Sequence, residues 1–341
     1  MDLLSRFLSL TPVRGRIDER CRFGAPWAIE VGTVGIHEIQ YHVLLEGEAV
    51  LEDGNGPPQK LKAGDVILFP TRSPHRLHDG SGAAPVPAVK RRNITLTVAE
   101  NGGSGHHADV LCGRLLLGAV PDRLLRDHLP ARLVVSTAPA LSALPGAAGG
   151  AADSAAAEGA EAAGTQANAA RDSVAGSRLA RIVGLMREEA LDESPGSESL
   201  INYLSAALFA LTLRFASEGV APPHGLLALA RQPRLQAALS AMFDAPGEPW
   251  TLDQFAALCN MSRATFVRQF QDAIGRSATD VLTEVRMTLA GRALLQTNDS
   301  VGEIGASVGY QSEAAFQRVF KRHIGVTPAR WRASGGNLQP Q

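Results

Sequence analysis

One pattern occurs twice in the C-terminal third of the chain, as TLDQFAALCNMSRATFVRQFQDAIG at 251–275 and as SVGEIGASVGYQSEAAFQRVFKRHIG at 300–325. Both copies contain S-x-x-x-F-x-R-x-F-x-x-x-I-G. In each copy the spacing predicts a short helix, a tight turn and a second helix, which begins after Ser262 or Ser312 because a serine oxygen can cap a helix. The repeat therefore predicts two helix-turn-helix units.

The second helix of each unit has a buried and an exposed face. Phenylalanines four residues apart lie on one face, which we expect in the core. The residues between them should point outward: Arg263, Ala264, Val267 and Arg268 in the first unit, and Glu313, Ala314, Gln317 and Arg318 in the second. An outward Arg can bond guanine, and an outward Gln adenine, in a major groove. These eight positions are candidate contacts to DNA bases.

The segment that joins the two units, 277–297, is expected to form one helix of 21 residues, roughly 31 Å long. Successive major grooves of B-DNA are about 34 Å apart. A stiff helix of this length would hold the two second helices over adjacent grooves on one face of the duplex. The alternative is a plain bundle of two similar helical pairs, which the duplication and the connecting length disfavour.

The tract from about 250 to 332 resembles the DNA-binding domain of the AraC/XylS transcription regulators. The resemblance rests on SRATFVRQF and on SVGEIGASVGYQSEAAFQRVFKRHIGVTPARWR, with the hallmark ending G-x-T-P-x-x-[WY]-R. It implies double-stranded DNA and RNA polymerase as partners. It also implies base contacts at seven of the eight candidate positions: Ala264, Val267, Arg268, Glu313, Ala314, Gln317 and Arg318. Ala264 and Val267 are apolar, so the first helix would use Arg268 together with a thymine methyl group.

The N-terminal half reads as a small β domain. Apolar and polar residues alternate within 28–78, and LKAGDVILFPTRSPH at 61–75 resembles the second conserved motif of cupin barrels. The chain opening, GDVILFPTRSPHRLH, the VLCGRL strand and MSRATF also resemble the cupin-bearing AraC subgroup that includes the regulator of reactive-chlorine resistance. The expected fold is α+β, with an N-terminal cupin-like β-barrel and an all-α C-terminal double helix-turn-helix domain.

Four regions are expected along the chain. They are a cupin-like sensor domain at 1–135 with an extra loop at 80–108, a flexible Ala/Gly-rich insert at 136–177, helices for coupling or dimerisation at 178–224, and the DNA-binding domain at 225–335. The insert has almost no large apolar side chains, so it cannot offset the entropy of ordering. A homodimer would use the helices at 178–224.

Two cysteines of the sensor region are candidate redox sensors. Cys21 lies between Arg20 and Arg22, and Cys112 has Arg114 nearby in sequence. Positive charge favours the reactive thiolate, and oxidation to a sulfenic acid or to a Cys21–Cys112 disulfide could then switch the barrel. The alternative is that both cysteines have only a packing role.

A metal or a small molecule inside the barrel is the second hypothesis for the signal. His42, His75 and His78 could converge there, because strand residues point alternately into a barrel and imidazole binds Zn, Fe, Cu or Ni. The first cupin motif normally supplies two histidines and a glutamate, and here only His42 with Glu46 or Glu48 is available. We therefore expect no cofactor. A metal-dependent cupin enzyme, the rival function, would need the complete ligand set.

The composition is that of an ordinary globular protein, with 341 residues, 45% hydrophobic, 20% charged and a net charge of −1. Residues 231–341 carry 12 Lys and Arg against 9 Asp and Glu, so this third is mildly basic. Cys259 is expected to pack in the first helix-turn-helix unit. The segment 200–213 is the longest uncharged apolar run and is shorter than the ~20 residues that span a bilayer. We expect neither a membrane span nor a signal peptide, and we expect a cytoplasmic protein.

Overall fold

The computed structural model describes residues 3–10, 12–35, 37–93, 96–117, 129–137, 162–192, 194–218 and 232–336. It confirms the predicted α+β class, since strands fill the N-terminal part and helices the C-terminal part. The chain divides into two compact units. The strand-rich unit comprises Arg14–Leu116 and Ala131–Ala221, and the helical unit comprises Met1–Val13, Leu117–Pro130 and Pro222–Gln341.

The strand-rich unit is built from two sheets that share one core. The strands are β1 (Val13–Gly24), β2 (Ala28–Val31), β3 (Glu38–Glu46), β4 (Glu48–Glu52), β5 (Gln59–Lys62), β6 (Asp65–Phe69), β7 (His75–His78), β8 (Ala88–Arg92), β9 (Thr97–Asn101), β10 (His107–Leu117) and β11 (Leu133–Ser136). Their orders are β11-β6-β3-β10-β1-β9-β8 and β2-β7-β4-β5. Both sheets contribute to one buried apolar cluster, which includes Phe23, Leu51, Phe69 and Leu77.

The central strand β3 is buried along almost its whole length. Successive side chains of a strand point to opposite faces, so one face of β3 lies in the shared core and the other lies under helices. On the outer face the Tyr41 hydroxyl is 2.6 Å from Ser205 Oγ. Gly113 lies opposite Tyr41 in β10, and a Cβ there would lie 2.5 Å from the tyrosine ring, so a larger residue would displace it.

Two long helices cover this outer face: α2 (Ala162–Leu191) and α3 (Ser197–Glu218). The start of α2 at Ala162 overlaps the segment 136–177 that we expected to be flexible, whereas 138–161 lies outside the described residues. By length and composition Ser197–Ser217 could cross a membrane. In the structure, however, its residues Ile201, Leu208 and Leu213 are buried, as in a core helix.

The segment expected as an extra loop at 80–108 contains a hairpin. β8 pairs antiparallel with β9, and β9 continues the larger sheet by pairing parallel with β1. All five residues of β8 are exposed, and Lys90 pairs with Glu19 across the sheet at 2.6 Å. The pairing with β1 is a long-range contact that the local sequence pattern does not show.

The helical unit contains the double helix-turn-helix predicted from the repeat. Its helices are α1 (Leu3–Leu10), α4 (Pro233–Asp244), α5 (Leu252–Leu258), α6 (Arg263–Ile274), α7 (Ala278–Gln296), α8 (Val301–Ser307), α9 (Glu313–Ile324) and α10 (Pro328–Ala333). Ser277 caps α7 through the backbone amide of Asp280, and the helix ends at the residue before Thr297. The connecting helix expected at 277–297 is therefore present.

Helix α1 belongs to the helical unit, although the sequence analysis placed it in the sensor domain. Arg6 forms an ion pair with Asp244 at the end of α4. Arg292 of α7 donates a hydrogen bond to the Ser9 carbonyl oxygen at 3.1 Å. These contacts join residues far apart in sequence, so the sequence pattern of the first ten residues did not reveal them.

Candidate DNA-binding surface and sensor core

The helices of the two helix-turn-helix units begin with matching N-terminal caps. Thr251 and Gln254 form a capping box at the start of α5, and Ser300 and Glu303 form one at the start of α8. The predicted caps of the second helices are also present: Ser262 accepts from the Thr265 amide and Ser312 from the Ala315 amide. Local hydrogen bonds of this kind satisfy amides that lack a partner at a helix start.

The second helices α6 and α9 have the same division between buried and exposed faces. Phe266, Phe270, Phe316 and Phe320 are each fully buried. The eight candidate contacts to DNA bases are exposed: Arg263, Ala264, Val267 and Arg268 on α6, and Glu313, Ala314, Gln317 and Arg318 on α9. Their exposure meets the geometric requirement for contact with a groove.

The two exposed faces differ in chemistry. On α6, the apolar Val267 is 42% exposed, and Arg263 lies 3.6 Å from Asp253. On α9, Gln317 Nε2 donates to Glu313 Oε1 at 2.7 Å, so one side chain orients the other. The last turn of α9 is basic, with Lys321, Arg322 and His323. The α9 face therefore carries more hydrogen-bonding groups for base edges and phosphates.

The segment 325–332, which has the pattern G-x-T-P-x-x-[WY]-R, forms hydrogen bonds with the connecting helix α7. Trp331 is buried, and its Nε1 donates to the Gly291 carbonyl oxygen at 2.9 Å. Arg332 donates from Nε to the Leu294 carbonyl oxygen at 2.9 Å and from Nη2 to that of Asp299 at 2.6 Å. The C-terminal segment thus fastens the end of α7 to the second helix-turn-helix unit.

The core of the strand-rich unit holds a chain of sulfur and imidazole groups. The thiols of Cys21 in β1 and Cys112 in β10 lie within hydrogen-bonding distance of each other. Cys112 Sγ is 3.1 Å from His42 Nδ1, and His42 Nε2 is 2.7 Å from His75 Nε2. His75 Nδ1 lies 3.0 Å from the Ser73 carbonyl oxygen. The structure therefore brings the two redox candidates together, beside two of the metal candidates.

The direction of these hydrogen bonds follows from the last group in the chain. A carbonyl oxygen can only accept, so His75 Nδ1 carries the hydrogen that Ser73 receives, and His75 Nε2 is left as an acceptor. His42 Nε2 then donates to His75, and His42 Nδ1 accepts from the Cys112 thiol. Burial, reinforced by His75, lowers the pKa of His42, and burial lowers that of His75. Both imidazoles are thus held neutral.

The arginines near the cysteines are each paired with carboxylates. Arg20 Nε donates to Asp109 Oδ1 at 2.9 Å, Arg22 lies 3.2 Å from Glu100, and Arg114 pairs with Asp18 and Glu38. The hydrogen bond with Cys21 and burial together raise the pKa of Cys112. The resting form of Cys112 is therefore the thiol.

His78 does not converge with the other two histidines. It lies three residues from His75 in β7, and therefore on the other face of that strand. There its Nε2 is 3.5 Å from Glu52, while its Nδ1 accepts from the Gly80 amide at 3.0 Å. Among the described residues, no group of three or more His, Cys, Asp or Glu side chains could hold a metal ion. Cys259 is buried, as expected for a packing residue.

Comparison with known proteins assigns both parts of the chain. Residues 2–171 match the family described as Cupin, and residues 255–334 match the family described as Helix-turn-helix domain. The RCS-specific HTH-type transcriptional activator RclR of Escherichia coli is 27% identical over 340 residues, covering 100% of both chains. An uncharacterized HTH-type transcriptional regulator of Haemophilus influenzae is 29% identical, covering 98% of this chain and 99% of that one. The chain belongs to the AraC family of transcription regulators.

A solved structure is also similar to part of this AraC-family regulator. A transcriptional regulator of Chromobacterium violaceum with an AraC-type DNA-binding domain is 31% identical, covering 33% of this chain and 97% of that one, with a TM-score of 0.30. The relatives aligned over the full length are transcription regulators. This AraC-family regulator is therefore a DNA-binding transcription regulator with an N-terminal cupin domain, and the rival interpretation as a cupin enzyme is wrong.

Sequence reasoning missed two arginines that organise this AraC-family regulator. Arg20 is buried, where it bonds Asp109 in β10 and the Ala190 carbonyl oxygen at the end of α2. Arg286 of α7 bonds the loop before α5. The sequence could have predicted that Arg20 has a partner, because an arginine among buried strand residues must be paired. Its partners lie too far along the chain for a local pattern to name them.

Proposed function

We propose that this regulator reads two adjacent major grooves on one face of DNA, with α6 in the first and α9 in the second. One observation carries the proposal: the exposed positions of α6 and α9 correspond one to one, and α7 joins them. With 19 residues, α7 is roughly 28 Å long, close to the ~34 Å between grooves. A footprint of two protected grooves per monomer tests this, and protection of a single groove would contradict it.

In this proposal α9 makes the sequence-specific polar contacts. Its exposed Gln317 and Arg318 match adenine and guanine, respectively. Glu313 holds Gln317 in place and can accept from cytosine. On α6, Arg268 supplies the polar contact, Ala264 and Val267 reach thymine methyl groups, and Arg263 lies at the start of the helix. Because α9 has more polar side chains for base edges than α6, we expect a stricter sequence preference in the groove that α9 enters.

Arg318→Ala is expected to weaken binding to the preferred duplex by about 1–3 kcal/mol and to relax specificity in the second groove. The reason is the loss of a base contact from an exposed side chain. The measurement is fluorescence anisotropy on the preferred duplex and on single-base variants of it. Arg330→Ala, an exposed arginine of α10, is the matched control with little expected change in specificity. An equal loss on all duplexes would instead assign Arg318 to a phosphate.

The cupin domain, we propose, senses an oxidant through Cys21 and Cys112. The two thiols lie within hydrogen-bonding distance in the core of the strand-rich unit, and the Cys112 thiol donates a hydrogen bond to His42 Nδ1. The relative RclR is named as RCS-specific, which supports an oxidant as the signal here too. The raised pKa of Cys112 keeps this thiol unreactive toward weak oxidants at rest, since the thiolate is the nucleophile.

Support for the metal or small-molecule hypothesis is weaker. Both nitrogens of His42 and of His75 are used in the hydrogen-bond chain, so binding a metal there would break existing bonds. His78 lies on the other face of β7. Phe69 also stacks on His75 with ring centres 3.6 Å apart, which fills the space beside the imidazole. Elemental analysis of the purified protein tests this alternative.

The regulator is further proposed to form a homodimer through α3. Leu200 and Tyr203 lie one turn apart on this helix and are 44% and 75% exposed. Apolar side chains exposed together often mark an interface, and a second copy is the occupant that the symmetry of homo-oligomers favours. Tyr203→Glu is expected to shift the protein to a monomer in analytical ultracentrifugation. Val89→Glu, at a site 61% exposed in β8, is the control that should leave the mass unchanged.

RNA polymerase is the proposed partner at the promoter, and activation the proposed outcome. The support is that the relative RclR is named as an activator. Transcription in vitro with purified polymerase, with and without oxidant, tests both points. Binding to chromosomal DNA would place the protein in the cytoplasm.

A further inference from the structure

Arg286 contacts both helix-turn-helix units from the middle of α7. Its Nε donates to the Pro246 carbonyl oxygen and its Nη2 to the Glu248 carbonyl oxygen, each at 2.7 Å. Both acceptors lie in the loop that leads into α5. On its other side the guanidinium lies over the ring of Tyr310, 5.8 Å from the ring centre. Tyr310 belongs to the turn between α8 and α9.

The two segments that Arg286 joins also touch each other. Gly309 has φ of +88°, and a Cβ there would lie 2.5 Å from the Gly247 carbonyl oxygen and 2.8 Å from Arg286 Nη2. A Cβ on Gly247 would lie 2.7 Å from the Ser307 carbonyl oxygen. Backbones approach this closely only where neither residue has a side chain. The loop before the first unit is thus seated directly on the turn of the second.

Both attached segments are themselves firmly held. Trp250 donates to the Ala245 carbonyl oxygen at 2.8 Å and stacks on Phe255 of α5, with ring centres 5.3 Å apart. Tyr310 packs against Phe316 of α9, with ring centres 5.7 Å apart. A movement of the loop would therefore carry α5 with it, and a movement of the turn would carry α9.

The guanidinium lies in a partly desolvated site, where burial lowers the pKa of Arg286. Its hydrogen bonds go to two carbonyl oxygens, and the face of an aromatic ring supplies a further attraction. A lysine could not make this forked contact, because its ammonium is a single point rather than a planar fork. The site is therefore specific for arginine.

We propose that Arg286 is a positioning residue that fixes the first helix-turn-helix unit against the second, so that α6 and α9 enter successive grooves together. The inference rests on the proposed reading of two grooves at once. When two contacts are rigidly linked, the second forms at a high effective concentration, which loosening the link reduces. Arg286 would thus set the affinity for the whole site and the spacing between its halves without touching a base.

The test uses the full chain and the tightest duplex that the wild type selects from a random library. Two derivatives of this duplex have one half or the other scrambled, and a third has one base pair inserted between the halves. Arg286→Ala is expected to lose at least about tenfold in affinity on the intact duplex while staying within about twofold of the wild type on each scrambled duplex. It should also lose less than the wild type when the base pair is inserted.

Two further variants separate the position of the guanidinium from its charge, and a third variant is the control. Gly309→Ala keeps the arginine in the sequence, but its Cβ would press on both the Gly247 carbonyl oxygen and the Arg286 guanidinium, so it should force the loop and the turn apart and reproduce the selective loss. Arg286→Lys keeps the charge and should reproduce it in part. Arg292→Ala, from the same helix but bonded to Ser9 and Gln296, is the matched control with no selective loss.

The outcomes separate the two proposals. If scrambling either half leaves wild-type affinity unchanged, the reading of two grooves is itself wrong. If the wild type needs both halves but Arg286→Ala behaves like it on every duplex, only the role of Arg286 is wrong. A loss by Arg286→Ala that is equal on all four duplexes would assign Arg286 to a phosphate contact or to stability and would also overturn the inference.

Discussion

About one equivalent of hypochlorous acid is expected to join Cys21 and Cys112 in a disulfide. The two cysteines lie on the neighbouring strands β1 and β10, and both side chains belong to the same buried cluster, so they face each other in one core. Cys112 loses its proton and its thiolate takes chlorine from the acid, which releases hydroxide that the proton converts to water. Cys21 then attacks the Cys112 sulfur, displaces chloride and loses its own proton. Overall, two thiols and one hypochlorous acid become one disulfide, water, chloride and a proton.

Mass spectrometry of the linked peptide measures this reaction. Cys112→Ser is expected to remove the linked peptide and the oxidant dependence of transcription together, and so is Cys21→Ser. Cys259→Ser is the matched control, because Cys259 is buried in the other unit and should leave the response intact. If all three cysteines react only with a large excess of oxidant, the thiols are structural and the sensor proposal is wrong.

Asp109→Ala is expected to destabilise the strand-rich unit by about 3–5 kcal/mol. The side chains of Arg20 and Asp109 are 6% and 10% exposed, so this ion pair is buried. The substitution would leave the guanidinium buried with the Ala190 carbonyl oxygen as its remaining bond in the described chain, at 3.1 Å. Hydrogen exchange at the amides of β1 and β10, followed against urea, measures the loss within this unit.

A double substitution shows whether the cost comes from the uncompensated charge. Arg20→Met combined with Asp109→Leu removes both charges and keeps the volume, so it should be far less destabilising than Asp109→Ala alone. A cost below about 1 kcal/mol for Asp109→Ala would show that water reaches the guanidinium. Arg20 directly precedes the proposed sensor Cys21 and bonds the end of α2, so the same result shows how firmly the sensor strand is held to this helix.

The helix-turn-helix part could be predicted in detail because its determinants are local. Ser262, Ser277 and Ser312 cap the helices that follow them, as expected from a serine before an apolar periodic run. The phenylalanines of α6 and α9 are buried, and the positions between them are exposed. A cap joins residues three apart and a helix face joins residues three or four apart, so a short window of sequence contains both.

The sensor core was predicted less well because its contacts are long-range. The sequence indicated Cys21, Cys112, His42 and His75 as separate candidates, for thiol chemistry and for a metal. Pairing of distant strands joins them into one hydrogen-bond chain and places His78 outside it. The partner of Arg20 was missed for the same reason, because Asp109 lies on the distant strand β10.

The sequence by itself determined the class of this protein. It has an N-terminal cupin domain followed by two helix-turn-helix units, and the helix that joins these units is about as long as the spacing of successive major grooves. Periodicity, caps and the spacing of repeated residues encode these features within each segment. Only the tertiary structure decided which charges meet, namely Arg20 with Asp109 and Arg286 with the loop before α5. Such partners are chosen by how sheets and helices pack, and a buried guanidinium can be satisfied by many acceptors that the sequence alone does not rank.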